Sequence, residues 1–116
     1  MRHKILIIDD EEDYCSLIQS YLSSRNYRVL VGSTIKECLK LLEKEQPDIL
    51  LLDNNLPDGK GWDMIESILT RFPSLKVYLI SAYLKKNDPP SVHQNITVWE
   101  KPLSLTVLDK AFPHMA

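Results

Sequence analysis

Two uninterrupted apolar runs, residues 5–8 and 49–52, each break off into aspartate. A strand with one wet face alternates apolar and polar side chains, whereas four apolar residues in a row need cover on both faces. Both runs therefore read as interior strands of a sheet with helices packed above and below it. The stretch DILLLDNNLPDGKGW, residues 48–62, poses the sharper question. Asp53 stands where its strand leaves the core and is followed by two asparagines, so it is either a turn residue or a working carboxylate.

The remaining periodicity alternates between the two kinds of element. After the strand at residues 4–8, EDYCSLIQSYLSS sets Tyr14, Leu17, Ile18, Tyr21 and Leu22 at helical spacing. YRVLVGS is a short β-rich run. STIKECLKLLEKEQ then opens with Thr34 and Glu37 as a capping box, presents Ile35, Cys38, Leu39 and Leu42 on one face, and is ended by Pro47. The Pro-Asp-Gly loop after residue 56 leads to a third helix in WDMIESILTRF, a fourth strand in KVYLIS, a fifth in ITVWE and a last helix in SLTVLDKAF. Strands alternating with helices predict an α/β fold with a parallel sheet covered on both faces. The segment between Ser81 and Ile96 breaks the pattern: it is polar and holds Pro89 and Pro90 side by side, so the fourth helix is expected to be shortened or missing.

At 116 residues the chain is expected to form one domain, 1–116, and its balance of 44% hydrophobic and 26% charged residues is that of an ordinary globular protein. Lys and Arg are spread along the chain without interleaved aromatics, which argues against direct nucleic-acid binding. The N-terminal apolar run is too short for a signal peptide or a membrane span, so a cytoplasmic location without membrane contact is expected. Cys15 and Cys38 have no CxxC spacing and no nearby His, and read as two reduced, packed thiols.

In an open α/β sheet, ligands gather beyond the carboxyl ends of the strands. Those ends carry Asp9, Asp10 and Glu11, then Asp53, then Ser81, then Glu100 and Lys101 before Pro102. Taken singly, Asp9 and Asp10 could cap the first helix, Asp53 could mark a turn, and a lone Ser or Lys is usually structural or solvated. Together they bring three aspartates, a hydroxyl and a lysine to one edge. Carboxylates about 4 Å apart repel by about 4 kcal/mol per pair at an effective dielectric near 20, and such a cluster asks for a cation. A hard divalent ion, most simply Mg²⁺, meets that need and leaves room for phosphoryl oxygens. Asp53 could then act as a carboxylate nucleophile on phosphorus, with Lys101 and Ser81 serving the phosphoryl oxygens.

The pieces ILIIDDEE, DILLLDNNLPDGKGW, LISA and EKPL, in this order and spacing, resemble the receiver domain of bacterial two-component response regulators over essentially the whole chain. The resemblance implies a flavodoxin-like, doubly wound sheet of five parallel strands in the order 2-1-3-4-5. It implies Asp53 as phosphoacceptor, Asp10 as a direct Mg²⁺ ligand and Asp9 mainly through water, with Asp53 and the backbone carbonyl of Asn55 completing the protein ligands. It further implies Lys101 pairing with the phosphoryl group, Ser81 as the switch hydroxyl, and a cis bond between Lys101 and Pro102. Gly59 and Gly61 fit the tight loop into the third helix, where positive φ would suit glycine. The partners implied are a histidine kinase or phosphotransfer protein and a downstream protein target or fused output domain. The chain is then a signalling protein that assists its own phosphorylation and dephosphorylation, not an enzyme.

Two departures bear on output. The family usually has an aromatic residue three positions before the lysine, but here that position is Val98, and the neighbouring Trp99 points to the opposite face. The other is the eroded fourth helix, which belongs to the family's usual output surface. An alternative is thus a receiver-like binding module that acts without phosphorylation. A phosphatase of the haloacid dehalogenase type would want a second Asp where Asn55 stands, and no phosphate-binding glycine motif follows the first strand. Asn55 and Tyr83, two residues beyond the acceptor and the hydroxyl, lie where they would admit or shield the hydrolytic water, and bulky Tyr83 is expected to prolong the phosphorylated state.

Overall fold

A computed structural model describes residues 3–82 and 95–113. Within them the chain alternates β1 (Lys4–Ile8), α1 (Glu12–Ser24), β2 (Arg28–Gly32), α2 (Ile35–Glu45), β3 (Ile49–Asp53), a 3₁₀ turn (Gly61–Met64), α3 (Ile65–Arg71), β4 (Lys76–Ser81), β5 (Ile96–Glu100) and α4 (Leu105–Ala111). The five strands form one sheet in the order β2-β1-β3-β4-β5, every pairing parallel, as expected. The segment where the fourth helix was expected to be shortened or missing, and Tyr83, fall outside the described residues.

The apolar runs behave as buried strands must. Along β1, Leu6 and Ile8 face one way and Ile5 and Ile7 the other; along β3, Leu50 and Leu52 oppose Ile49 and Leu51. The first face packs against Cys38 and Leu42 of α2 and Ile65, Ile68 and Leu69 of α3. The second packs against Cys15, Ile18 and Leu22 of α1 and Leu108 of α4, with Phe112 just beyond it. Each such side chain, fully withdrawn from water, contributes about 1.5–3 kcal/mol. The two cysteines are free, buried, and on opposite faces of the sheet.

Several local expectations are corrected. In α1 the buried stripe is Cys15, Ile18 and Leu22, while Leu17 is 61% exposed. Positions 15, 18 and 22 are three and four apart and make one face, and Leu17 lies about 100° round the helix from Ile18. In α2, Leu39 is exposed and Leu41 packs against the core in its place. The Thr34 hydroxyl accepts from the Glu37 amide at 3.0 Å, but Glu37 reaches back to the hydroxyl of Ser33 at 2.8 Å, so the capping box is closed one residue early. Gln46, in the left-handed conformation at φ 45°, caps the C-terminus before Pro47. The third helix opens as a 3₁₀ turn because Asn54 draws it in, its carbonyl accepting from the Gly61 amide and its side-chain oxygen from the Trp62 amide at 2.8 Å.

The glycines also differ in their reasons. Gly59 has the expected positive φ of 149°. Gly61 has none; a Cβ there would lie 2.7 Å from the Asp53 carbonyl oxygen and 2.8 Å from Leu52 Cγ, so close approach to the end of β3 is what excludes a side chain.

Candidate functional site

The strand order reverses between β1 and β3, so the carboxyl ends of these two strands border the crevice where open α/β sheets bind ligands. Asp9 and Asp10 follow β1, and Asp53 closes β3. One oxygen from each of the three carboxylates lies within 4.8 Å of the others. Asp9 and Asp53 are buried and Asp10 is exposed. The cluster therefore opens outward through Asp10.

Lys101 comes to the cluster from the end of β5. Its peptide bond to Pro102 is cis, and its amide donates to the Ser81 carbonyl at 2.9 Å, linking it to the end of β4. Its Nζ is 2.8 Å from Asp9 Oδ2, 3.3 Å from Glu11 Oε1 and 3.5 Å from Asp53 Oδ2. Burial alone would favour loss of its proton. Close approach to Asp9 and the charges of Asp53 and Asp9 outweigh burial and raise its pKa above the ordinary lysine value.

The second oxygen of each buried aspartate is held by the backbone. Asp9 Oδ1 accepts from the Glu11 amide at 3.0 Å, and Asp53 Oδ1 accepts from the Asn55 amide at 3.2 Å. Burial is the main reason that the Asp53 pKa is pushed up to about 6; the Asn55 amide lowers it, the Asp9 charge raises it, and Lys101 lowers it. Asp9 Oδ2 is buried with no hydrogen bond in good alignment, its short contact with Lys101 being an ion pair off the hydrogen-bond direction. Three carboxylates gathered within 4.8 Å, a set of hard oxygen donors, fit a divalent cation such as Mg²⁺.

Of the residues expected at the site, Asp9, Asp10, Asp53 and Lys101 are brought together. Ser81 is buried at the end of the adjacent β4, opposite Glu100 of β5. Asn55 is exposed on the loop after β3. Val98 packs into the core on the α2 and α3 side, while Trp99 lies on the other side against Tyr78, with ring centroids 4.3 Å apart. Three residues were given no role from sequence. Glu11 pairs with Lys101, and Tyr14 lies under its ammonium. Asp58 accepts from the Ile35 and Lys36 amides at 2.8 and 3.1 Å, fastening the loop after β3 to the start of α2. The Asp-Gly pair was legible as a turn, but its distant helix partner was not.

Residues 5–112 match the family model described as response regulator receiver domain. The chain belongs to that family, and it is a signalling domain of two-component systems. Response regulator protein PilR of Pseudomonas aeruginosa is 38% identical over 82 residues, covering 71% of this chain and 18% of that protein. The alkaline phosphatase synthesis transcriptional regulatory protein PhoP of Bacillus subtilis is 33% identical over 82 residues, covering 71% of this chain and 34% of its own length. The match thus spans about a third or less of these relatives. The crystal structure of a CheY-like receiver domain protein from Methanospirillum hungatei superposes with a TM-score of 0.84 at 25% identity, covering 96% of this chain and 91% of that one. Among the described residues no helix is long and apolar enough to cross a membrane.

Proposed function

We propose that this chain is the phosphoacceptor of a two-component phosphorelay, taking a phosphoryl group on Asp53 from a histidine kinase or phosphotransfer protein and thereby changing how it binds a downstream protein or fused output domain. The observation that carries the reading is Lys101 Nζ, set 3.5 Å from the Asp53 carboxylate while paired with Asp9. In the step proposed, an Asp53 oxygen attacks phosphorus as the bond from phosphorus to the donor's imidazole nitrogen breaks; the electron pair stays on that nitrogen, and the ring, protonated on its other nitrogen, leaves as neutral imidazole. Lys101 moves from the aspartates to a phosphoryl oxygen, and Ser81 donates a hydrogen bond to another. Asp10, Asp53 and the Asn55 carbonyl, with Asp9 mainly through water, would hold Mg²⁺, which supplies neutralising charge to the carboxylates and phosphoryl oxygens. The same residues let the chain assist its own phosphorylation and dephosphorylation. We read the chain as one cytoplasmic domain over residues 1–116, in keeping with this role.

With Mg²⁺ and acetyl phosphate, wild type is expected to gain the mass of one phosphoryl group and Asp53→Asn to gain none. No gain in wild type would overturn the reading.

A second reading, a constitutive binding module, is favoured by Val98 and Trp99. With Val98 in the core and Trp99 stacked on the opposite face, the family's usual aromatic partner for the hydroxyl is missing from its position. Under this reading, loading Asp53 with beryllofluoride shifts NMR resonances only beside the acceptor and leaves those of β5 and α4 unmoved.

A further inference from the structure

Lys101 is bounded by carboxylates and by a ring. Its Nζ lies 5.0 Å from the centroid of the Tyr14 ring, within the distance at which an ammonium is attracted to the π face. Tyr14 sits in the first turn of α1, half-buried, just before the stripe that faces the sheet. Its phenol oxygen is buried in polar contact with the backbone of Leu103, while its ring faces the ammonium.

Among the described residues, the other charged neighbours of the ammonium are Asp9, Glu11 and Asp53. Asp9 and Asp53 belong to the cluster suited to a divalent cation, and Asp53 is the proposed acceptor. Each has another partner to serve when the site is in use, and Glu11 is an exposed side chain that water screens. The ring of Tyr14 is neither ligated, titrated nor phosphorylated in that chemistry, so its hold on the ammonium persists when the carboxylates are engaged elsewhere.

We propose that Tyr14 is a positioning residue, its ring keeping the Lys101 ammonium where it can meet the phosphoryl group on Asp53. The role rests on Asp53 being the acceptor. It acts through Lys101 and needs the ring, not the hydroxyl.

The test is a fluorine NMR titration of the full chain with beryllofluoride in the presence of Mg²⁺, combined with the proton shifts of the Lys101 ε-methylene. Tyr14→Leu is expected to bind the mimic about tenfold more weakly, equivalent to about 1.4 kcal/mol and within the range of a desolvated cation–π contact. It should also lose the upfield ring-current shift of the Lys101 methylene. Tyr14→Phe is expected to restore both, the affinity to within about twofold. Circular dichroism checks folding, and Tyr14→Met replaces the leucine variant if that one does not fold. Wild-type affinity in the ringless variant would overturn the proposal, as would a phenylalanine variant as weak as leucine, which would assign the effect to the hydroxyl. A wild type that takes up no beryllofluoride refutes the acceptor reading and the role of the ring with it; uptake by wild type with no loss in the ringless variant refutes the ring alone.

Discussion

At the residue scale, Asp53 is a carboxylate kept 4% exposed beside a second buried acid, and its pKa near 6 is mainly a consequence of burial. Between the ordinary value of 3.8 and about 6 the folded chain binds more protons here than the unfolded chain, so this group makes stability fall as pH rises through that window. Asp53→Asn removes the effect. In EDTA the variant is expected to exceed wild type by roughly 2 kcal/mol above pH 7, with the difference closing toward pH 4. Urea denaturation at both pH values measures it, and equal stabilities at pH 7.5 would contradict the burial argument. Asp53 was legible in sequence because the run before it could only be an interior strand. Tyr14 was not, because helical spacing alone assigns an aromatic residue to the core face and says nothing of a lysine 87 positions later in the chain.

Elements meet closely where the loop after β3 enters the third helix. A Gly61→Ala methyl would press on the Asp53 carbonyl and on Leu52, and neither the backbone nor a packed leucine yields easily. The variant is expected to lose about 1–3 kcal/mol in thermal or chemical denaturation. It should also accept phosphate more slowly from acetyl phosphate, since the strained carbonyl belongs to the acceptor itself. Unchanged stability would show that the loop relaxes without cost. Here sequence indicated the right residue for the wrong reason: glycine is commonly selected for positive φ, but at Gly61 the constraint is a contact between segments that only the folded chain reveals. The same holds for the helix that begins as a 3₁₀ turn, because the Asn54 side chain that shapes it looks in sequence like any turn asparagine.

Over the whole molecule, the layering was readable because alternating interior strands and amphipathic helices leave few ways to cover both faces of a sheet, whereas the strand order came only from the resemblance to receiver domains. What ties the end of the chain to that sheet was less visible. Phe112 is almost fully buried, edge-on to Tyr27, Tyr78 and Trp99, while its carbonyl accepts from Arg25 Nε at 2.9 Å and the next carbonyl, of Pro113, from the Tyr27 hydroxyl at 2.8 Å. Phe112→Ala is therefore expected to lose about 3–5 kcal/mol. A drop below about 1 kcal/mol on urea denaturation would show that α4 is a loosely attached element.

The two cysteines offer a different kind of access. They lie under different helical layers, and burial pushes their thiols up to about 11 for Cys15 and about 12 for Cys38. Thiolates are scarce at neutral pH and both sulfurs are shielded, so a reagent reaches each only when its own layer lifts. Left in place, the pair times the two sides of the sheet separately: matched labelling rates would mean that the layers part together, and unmatched rates would tell which one breathes first.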